Sequence, residues 1–311
     1  MPTTRRPGRI FPDFIVCAAV AVILLALPGR AASAEELQRG TAVLTYHRFD
    51  PTGFGPTKVT DSVFEEQLRF LVSHHVRVGT LRQMLDAMRA DTPDTEPPVP
   101  PPCVVITADD GHRSVYTHML PLIRRYRVPV TLFIYPAGIG HGPQELTWDQ
   151  LRELQASGLV EIQAHTLTHP HFRFEENVRG ADDYRDFVAR ELEASKAQLE
   201  ARFPIQVDMM AWPYGAHDAD LEQAAEQAGY RAAFAINPRP ARSGEDLFAL
   251  PRTVITEADR GARFAAIIEA ACPEPKAPKL LVVQPGPRPP VSAPLGLVTL
   301  KRTRDRLDGL D

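Results

Sequence analysis

The chain has 311 residues, with 35 Lys and Arg against 39 Asp and Glu, a net charge of −4 and a pI near 6.2. That balance excludes the strongly basic surface on which a nucleic-acid binder depends. The length suits one large domain or two small ones, with enough chain to bury a substantial core.

At the N-terminus Arg5, Arg6 and Arg9 precede an apolar run from Ile15 to Leu27, which gives way to Ala32-Ser33-Ala34. Basic, apolar and small-residue regions in that order predict a secretory leader over residues 1–34, cleaved after Ala34. The run is short for a membrane span of about 20 residues, with an uncleaved anchor as the alternative. Cys17 would leave with the leader, so only Cys103 and Cys272 remain, in a compartment that permits disulfides. Cys103 opens an apolar run and reads as a small buried hydrophobe in preference to half of a bridge.

The body, residues 35–272, begins with a strand at Ala42 to Tyr46. A helix follows, carrying Phe64, Leu68, Leu71 and Val72 at helical spacing, with Thr60 or Ser62 to cap it. Leu81 to Met88 reads as a short helix and Asp91 to Pro102 as a proline-rich surface loop. Val104 to Ile106 is a strand, Leu120 to Tyr126 a helix and Val130 to Tyr135 a strand. A helix over Asp149 to Ala156 has Thr147 as cap and Gly158 as stop, and Leu159 to Gln163 is the next strand. Arg185 to Ala201 is a longer helix with Phe187, Leu192 and Leu199 on one face. A strand near Val207 to Ala211 comes next, then a helix capped by Asp218 that ends at Gly229. Ala232 to Ile236 and Val254-Ile255 are the last strands. Residues 273–311 form a proline-rich, extended tail, with Lys301-Arg302-Thr303-Arg304 as a solvated basic stretch.

Strand and helix alternate throughout, which means parallel strands with crossover helices, in an open doubly wound sheet or a closed barrel. Neither GxGxxG nor GxxxxGK occurs, which removes the nucleotide-binding versions of such folds. Chemistry gathers after the strands instead: Tyr46-His47, Asp109-Asp110, His165 to His169, and Pro213-Tyr214-Gly215. In a parallel barrel those ends share one face, where active sites lie. His-x-x-x-His is weak evidence alone. With Asp109 or Asp110 on the same rim, however, two imidazoles and a carboxylate make a three-ligand site with an open position, the arrangement of catalytic zinc. Gly111 permits the turn that lets both carboxylates serve one site: one binds the cation, and the other stays free as a base.

Thr107-Ala108-Asp109-Asp110-Gly111, His165-Thr166-Leu167-Thr168-His169-Pro170 and Trp212-Pro213-Tyr214-Gly215 resemble the first three motifs of the NodB-type polysaccharide deacetylases, carbohydrate esterase family 4. The likeness runs from residue 41 to about 256. It implies a NodB homology domain, a distorted (β/α) barrel of about seven parallel strands. It also implies a divalent metal, zinc first and cobalt or nickel otherwise, held by Asp110, His165 and His169. Asp109 would be the general base, and the Tyr214 backbone N–H would help hold the oxyanion. Trp212, Pro213, Gly215 and His171 would meet the sugar.

Two positions depart from the pattern. The arginine that opens the third motif and pairs with the base is Ala211 here, with Arg252 as the candidate substitute. The late Leu-x-His that supplies the general acid is missing, and its equivalent is Leu44-Thr45-Tyr46-His47, which makes His47 the candidate acid. That permuted order resembles the subfamily that deacetylates poly-β-1,6-N-acetylglucosamine during export of biofilm polysaccharide. The expected partner is therefore an acetylated glycan, with no nucleic acid, in a secreted or periplasmic setting. Association with a membrane or with export machinery is left open. Rival readings are a peptidoglycan- or chitin-type deacetylase, an O-acetyl xylan esterase, a small-molecule amidase, and a glycan-binding protein that has lost turnover. His74, His75, His118 and His141 are given no role. His112 is given at most a supporting one, and Trp148 reads as a packing residue, with Phe172 a less favoured sugar contact.

Overall fold

Amphipathic helices alternating with short apolar strands build the body that the pattern predicts. A computed structural model describes residues 40–52, 55–90 and 101–272. The expected leader with Cys17, the expected tail and most of the expected 91–102 loop lie outside these residues. The first elements are β1 (Ala42–Tyr46), β2 (Arg48–Phe49), β3 (Lys58–Val59), α1 (Asp61–Ser73), β4 (Val78–Gly79) and α2 (Leu81–Ala90). Next come β5 (Val104–Asp109), α3 (Leu120–Tyr126), β6 (Val130–Ile134), α4 (Trp148–Ala156), β7 (Val160–Ala164), α5 (Phe172–Val178) and α6 (Ala181–Arg202). The series closes with β8 (Met209–Ala211), α7 (Ala219–Gln227), β9 (Ala232–Phe234), β10 (Thr253–Val254) and α8 (Ala262–Ala271).

Seven parallel strands in the order β10-β1-β5-β6-β7-β8-β9 curl into a distorted half-barrel, and β4 pairs additionally with the start of β5. An isolated parallel bridge from Phe234 to Leu250 continues the curl toward β10. Period-two alternation sorts the side chains. Val104, Ile106 and Ala108 pack outward among the helices, while Val43, Val105, Phe133, Met209, Ala211 and Phe234 form an inner cluster. Leu81, Met84 and Leu85 of α2 join that inner cluster and plug the barrel at one end. Capping follows the sequence reading: Thr60 accepts from the Val63 N–H, Thr147 and Gln150 form a capping box, and Asp218 accepts from the Leu221 N–H. Among the described residues no helix is long and apolar enough to cross a membrane.

Three differences from the sequence reading bear on the site. β5 runs on to Asp109, so that carboxylate is a strand residue and the turn begins after it. The stretch after His169 contains a further helix, α5, that opens on His171. Finally, Cys103 and Cys272 are bonded to each other, correcting the reading of Cys103 as a free buried thiol. Sequence spacing hid the pair because the two cysteines are 169 residues apart and meet only when α8 folds back, where the Gly40 N–H donates to the Ala271 carbonyl.

A cross-link of that span removes unfolded-state entropy equivalent to about 5 kcal/mol. Reduction, or Cys272→Ser, is therefore expected to lower the urea midpoint clearly and to raise the m-value, because the released unfolded chain exposes more surface. Coincident melts of oxidised and reduced protein would show that the bond adds nothing.

Candidate active site

The parallel register delivers the strand ends to one rim: Tyr46 pairs with Ala108, Asp109 with Phe133, Ile134 with Ala164, and Ala211 with Phe234. His47, Asp110, His165 and the Trp212 turn are each the next residue out. Asp109 is inward-facing and only 2% exposed, at the rim end of a column that includes Thr107, whose hydroxyl lies 3.1 Å from that of Thr45. Asp110 turns the chain sharply, at φ 72°, and Gly111 follows at φ 83°. A Cβ on Gly111 would sit 2.9 Å from the tip of the Ile139 side chain, which could shift, so it is the positive φ that calls for glycine there.

Asp109 is not left alone. Arg252 is fully buried, reaches it just before β10, and donates two parallel hydrogen bonds of 2.8 and 2.9 Å. The guanidinium also lies 5.2 Å over the Phe133 ring. Burial by itself would raise the Asp109 pKa, but the charge of Arg252, followed by His165 and His47, outweighs it and brings the value down to about 2. Asp109 is thus a carboxylate at any physiological pH. Ala211 and Arg252 face the same interior, so the missing motif arginine is replaced from a neighbouring stretch of chain.

Asp110 Oδ1 lies 3.6 Å from His165 Nε2 and 3.5 Å from His169 Nε2. The donor atoms of all three fall within 4.8 Å of one another. His165 Nδ1 is 2.7 Å from the Ala211 carbonyl, which fixes the Nδ1–H tautomer and turns the Nε2 lone pair toward the cluster. Burial pushes His165 down to about 4 against the pull of Asp109, and it pushes His169 down as well. Both imidazoles are therefore neutral at neutral pH, the form that ligates a cation. A mixed carboxylate and imidazole donor set, with one ring pre-oriented by a backbone carbonyl, fits a divalent transition metal.

The loop between the histidines is held from below by α6. Glu191 accepts from the Leu167 and Thr168 N–H groups and the Thr168 hydroxyl, and Ser195 donates to the Thr166 carbonyl. The sequence reading missed both. A signal was available: Phe187, Glu191, Ser195 and Leu199 recur every four residues along the buried face of α6, and two of them are polar.

Around the metal-ligand cluster the expected residues divide. His47 follows β1 at the rim, and its Nδ1 is buried without a hydrogen-bond partner among the described residues. Tyr214 stands exposed in the left-handed region at φ 59°, its ring 4.8 Å from His169 and 5.4 Å from the exposed His171. His171 also caps α5, accepting from the Phe174 N–H. Gly215 closes that turn at φ 69°, where a Cβ would lie 2.6 Å from the Ile236 backbone nitrogen. Trp212 and Pro213, expected to meet sugar, are instead buried: the Trp212 indole N–H donates to the Phe248 carbonyl and its ring packs edge-on to Phe172. An indole needs that polar partner when buried, and α5 seals its remaining face. Phe172 is likewise buried, and Trp148 packs on Phe203 under Arg202.

Removing Arg252 as Arg252→Met would strand a buried carboxylate, a loss of about 3–5 kcal/mol near neutral pH. The folded Asp109 value lies below the ordinary 3.8, so the stability it contributes is complete above about pH 4 and is lost as the pH falls toward 2. Denaturant melts of both proteins should accordingly converge in acid. A gap independent of pH would assign the loss to packing alone. Glu191→Ala is expected to weaken metal binding by about 10- to 100-fold in chelator competition, through the loosened histidine loop. Unchanged affinity would deny Glu191 that role.

The polysaccharide deacetylase family model matches residues 96–233. The poly-beta-1,6-N-acetyl-D-glucosamine N-deacetylase of Staphylococcus epidermidis is 23% identical over 202 residues, covering 64% of this chain and 68% of that one. IcaB from Ammonifex degensii superposes with a TM-score of 0.61 at 24% identity, covering 74% of this chain and 97% of its own. The Streptococcus pyogenes deacetylase PplD, solved in complex with acetate, superposes at 0.63 and 20% identity, covering 74% and 98%. The structural likenesses show a shared fold, and the family model covers both the Asp109-Asp110 and the His165-to-His169 motifs. Residues 96–233 thus carry a polysaccharide deacetylase domain of the NodB type, a domain of hydrolases that act on amide bonds.

Proposed function

We propose that the protein is a metal-dependent N-deacetylase of an N-acetylglucosamine-containing polysaccharide, poly-β-1,6-N-acetylglucosamine in the first instance. The observation that carries this reading is a carboxylate held ionised by Arg252 directly beside the Asp110, His165 and His169 donors. A divalent cation held by those three, zinc in our reading with cobalt or nickel as alternatives, would acidify water and polarise the acetamide carbonyl.

The chain's own groups have separable tasks. Asp109, kept anionic and locked in orientation by the two Arg252 hydrogen bonds, accepts the proton of the attacking water. The Tyr214 backbone N–H meets the charge developing on the carbonyl oxygen. Its ring, exposed beside His171, offers the glycan an aromatic face in place of the buried Trp212. His47 donates a proton to the departing nitrogen, so that acetamide and water become acetate and a free amine. The unpartnered Nδ1 supports this role, since no internal hydrogen bond competes for that atom.

The choice of linkage rests on the position of His47 ahead of the other motifs and on the activity for which the staphylococcal relative is named. We also read residues 1–34 as a leader that carries the domain out of the cytoplasm, a setting in which the Cys103–Cys272 bond persists.

Free-amine release from β-1,6-linked N-acetylglucosamine oligomers, by chelated protein and by protein reloaded with zinc or cobalt, tests the reading. Release should require the metal, fall by about 100-fold or more in Asp109→Asn, and fall in kcat rather than KM in His47→Ala. A stoichiometrically loaded protein that releases nothing from these oligomers, from chitin oligomers or from acetylated xylan would instead be a glycan binder.

A further inference from the structure

Beside the metal-ligand cluster a cleft of about 250 Å³ opens between β2, the start of β3 and the segment that follows Gly111. Arg48, Lys58, His112, Arg113 and His118 line it, against Asp50 as the acidic residue. Arg48 is the residue after His47, and His112 is two residues beyond Asp110, so the cleft shares the rim of the site. Two of its basic side chains already have acidic partners: Lys58 with Asp50 at 3.0 Å and His118 with Asp61 at 2.9 Å. Arg48 and Arg113 have no ion-pair partner among the described residues. Glu145 lies within electrostatic range of Arg48 but forms no ion pair with it and does not line the cleft.

The two arginines stand on separate walls, and those walls are fastened together. The Phe49 N–H donates to Ser114 Oγ at 2.9 Å, and the same hydroxyl lies 2.8 Å from His112 Nδ1. Two uncompensated guanidiniums are thereby held facing one space, in a chain whose overall charge is −4. The Gln144 amide and Thr117 hydroxyl in the lining would serve a neutral sugar, but such a sugar gives two arginines no partner. Planar guanidinium forks match the oxygens of a carboxylate or phosphate instead.

We propose that this cleft binds an oxyanion, phosphate or carboxylate, carried on the glycan next to the sugar that is deacetylated. The proposal rests on the deacetylase reading and narrows its substrate to an anionic glycan.

The test uses the full, metal-loaded chain and three substrates: a neutral β-1,6-linked N-acetylglucosamine oligomer, the same oligomer bearing a phosphate ester, and an oligomer containing N-acetylmuramic acid. At low ionic strength at least one charged oligomer should exceed the neutral one in kcat/KM by about tenfold or more. Added salt should shrink the advantage, and the Arg48→Gln/Arg113→Gln double variant should remove it. The charged oligomer that gains identifies the anion. Equal turnover of all three, or an advantage that survives in the variant, overturns the proposal. If no oligomer loses acetate, the deacetylase reading falls, and calorimetric binding of the same oligomers judges the cleft alone. Charge preference lost in the variant supports it, and absence of any preference overturns it.

Discussion

The buried pair of Asp109 and Arg252 is the constraint around which the site is arranged. A fully desolvated carboxylate is tolerable only with a partner of matched geometry, and here the partner satisfies both oxygens at once. The pair spans the interior from the end of β5 to the approach to β10, and β1 lies between those two strands in the sheet. The end of β1 therefore lies beside the ion pair at the rim, and His47, the next residue out, comes within electrostatic range of Asp109. One ion pair fixes the depth of the carboxylate, the spacing of three strand ends, and the place of the third polar group.

The backbone carries strain at the same address. Asp110, Thr166, His169 and Tyr214 all occupy the left-handed region without being glycine, against His75 and Arg127 elsewhere among the described residues. Thr166 is β-branched and would not adopt that conformation unassisted. Its carbonyl is held by Ser195, and its hydroxyl accepts from the His169 N–H. Folding free energy from the packed helix α6 is thus used to keep two imidazoles converged, in a loop that would otherwise relax.

Much of this was legible from the chain. Strand ends announce themselves by the change from Val-Val-Ile to Asp-Asp-Gly, and the His-x-x-x-His turn by its flanking threonines and proline. Arg252 was visible as a candidate because Ala211 left a charge unanswered. Distance in sequence hid what remained. Glu191 and Ser195 act on residues some twenty-five positions away, and their side chains look like breaks in an amphipathic stripe until the helix is placed. Trp212 misled for a related reason: a motif aromatic next to a site suggests contact with ligand, whereas in a strand-end turn alternate residues point inward, and this one is claimed by Phe248 and Phe172.

The bond between Cys103 and Cys272 divides the site in a way that neither the sheet nor the motifs reveal. The covalent loop it closes contains Asp109, Asp110, His165, His169, Tyr214 and Arg252, whereas β1 and His47 lie outside it. Fraying of β1 would therefore remove His47, the proton donor we propose, while the donor cluster and its ion pair stayed tethered within one ring. With the roles we propose, the capacity to hold a cation and the capacity to turn over substrate would belong to topologically separate parts of the molecule, and a partly unfolded chain would keep the first after losing the second.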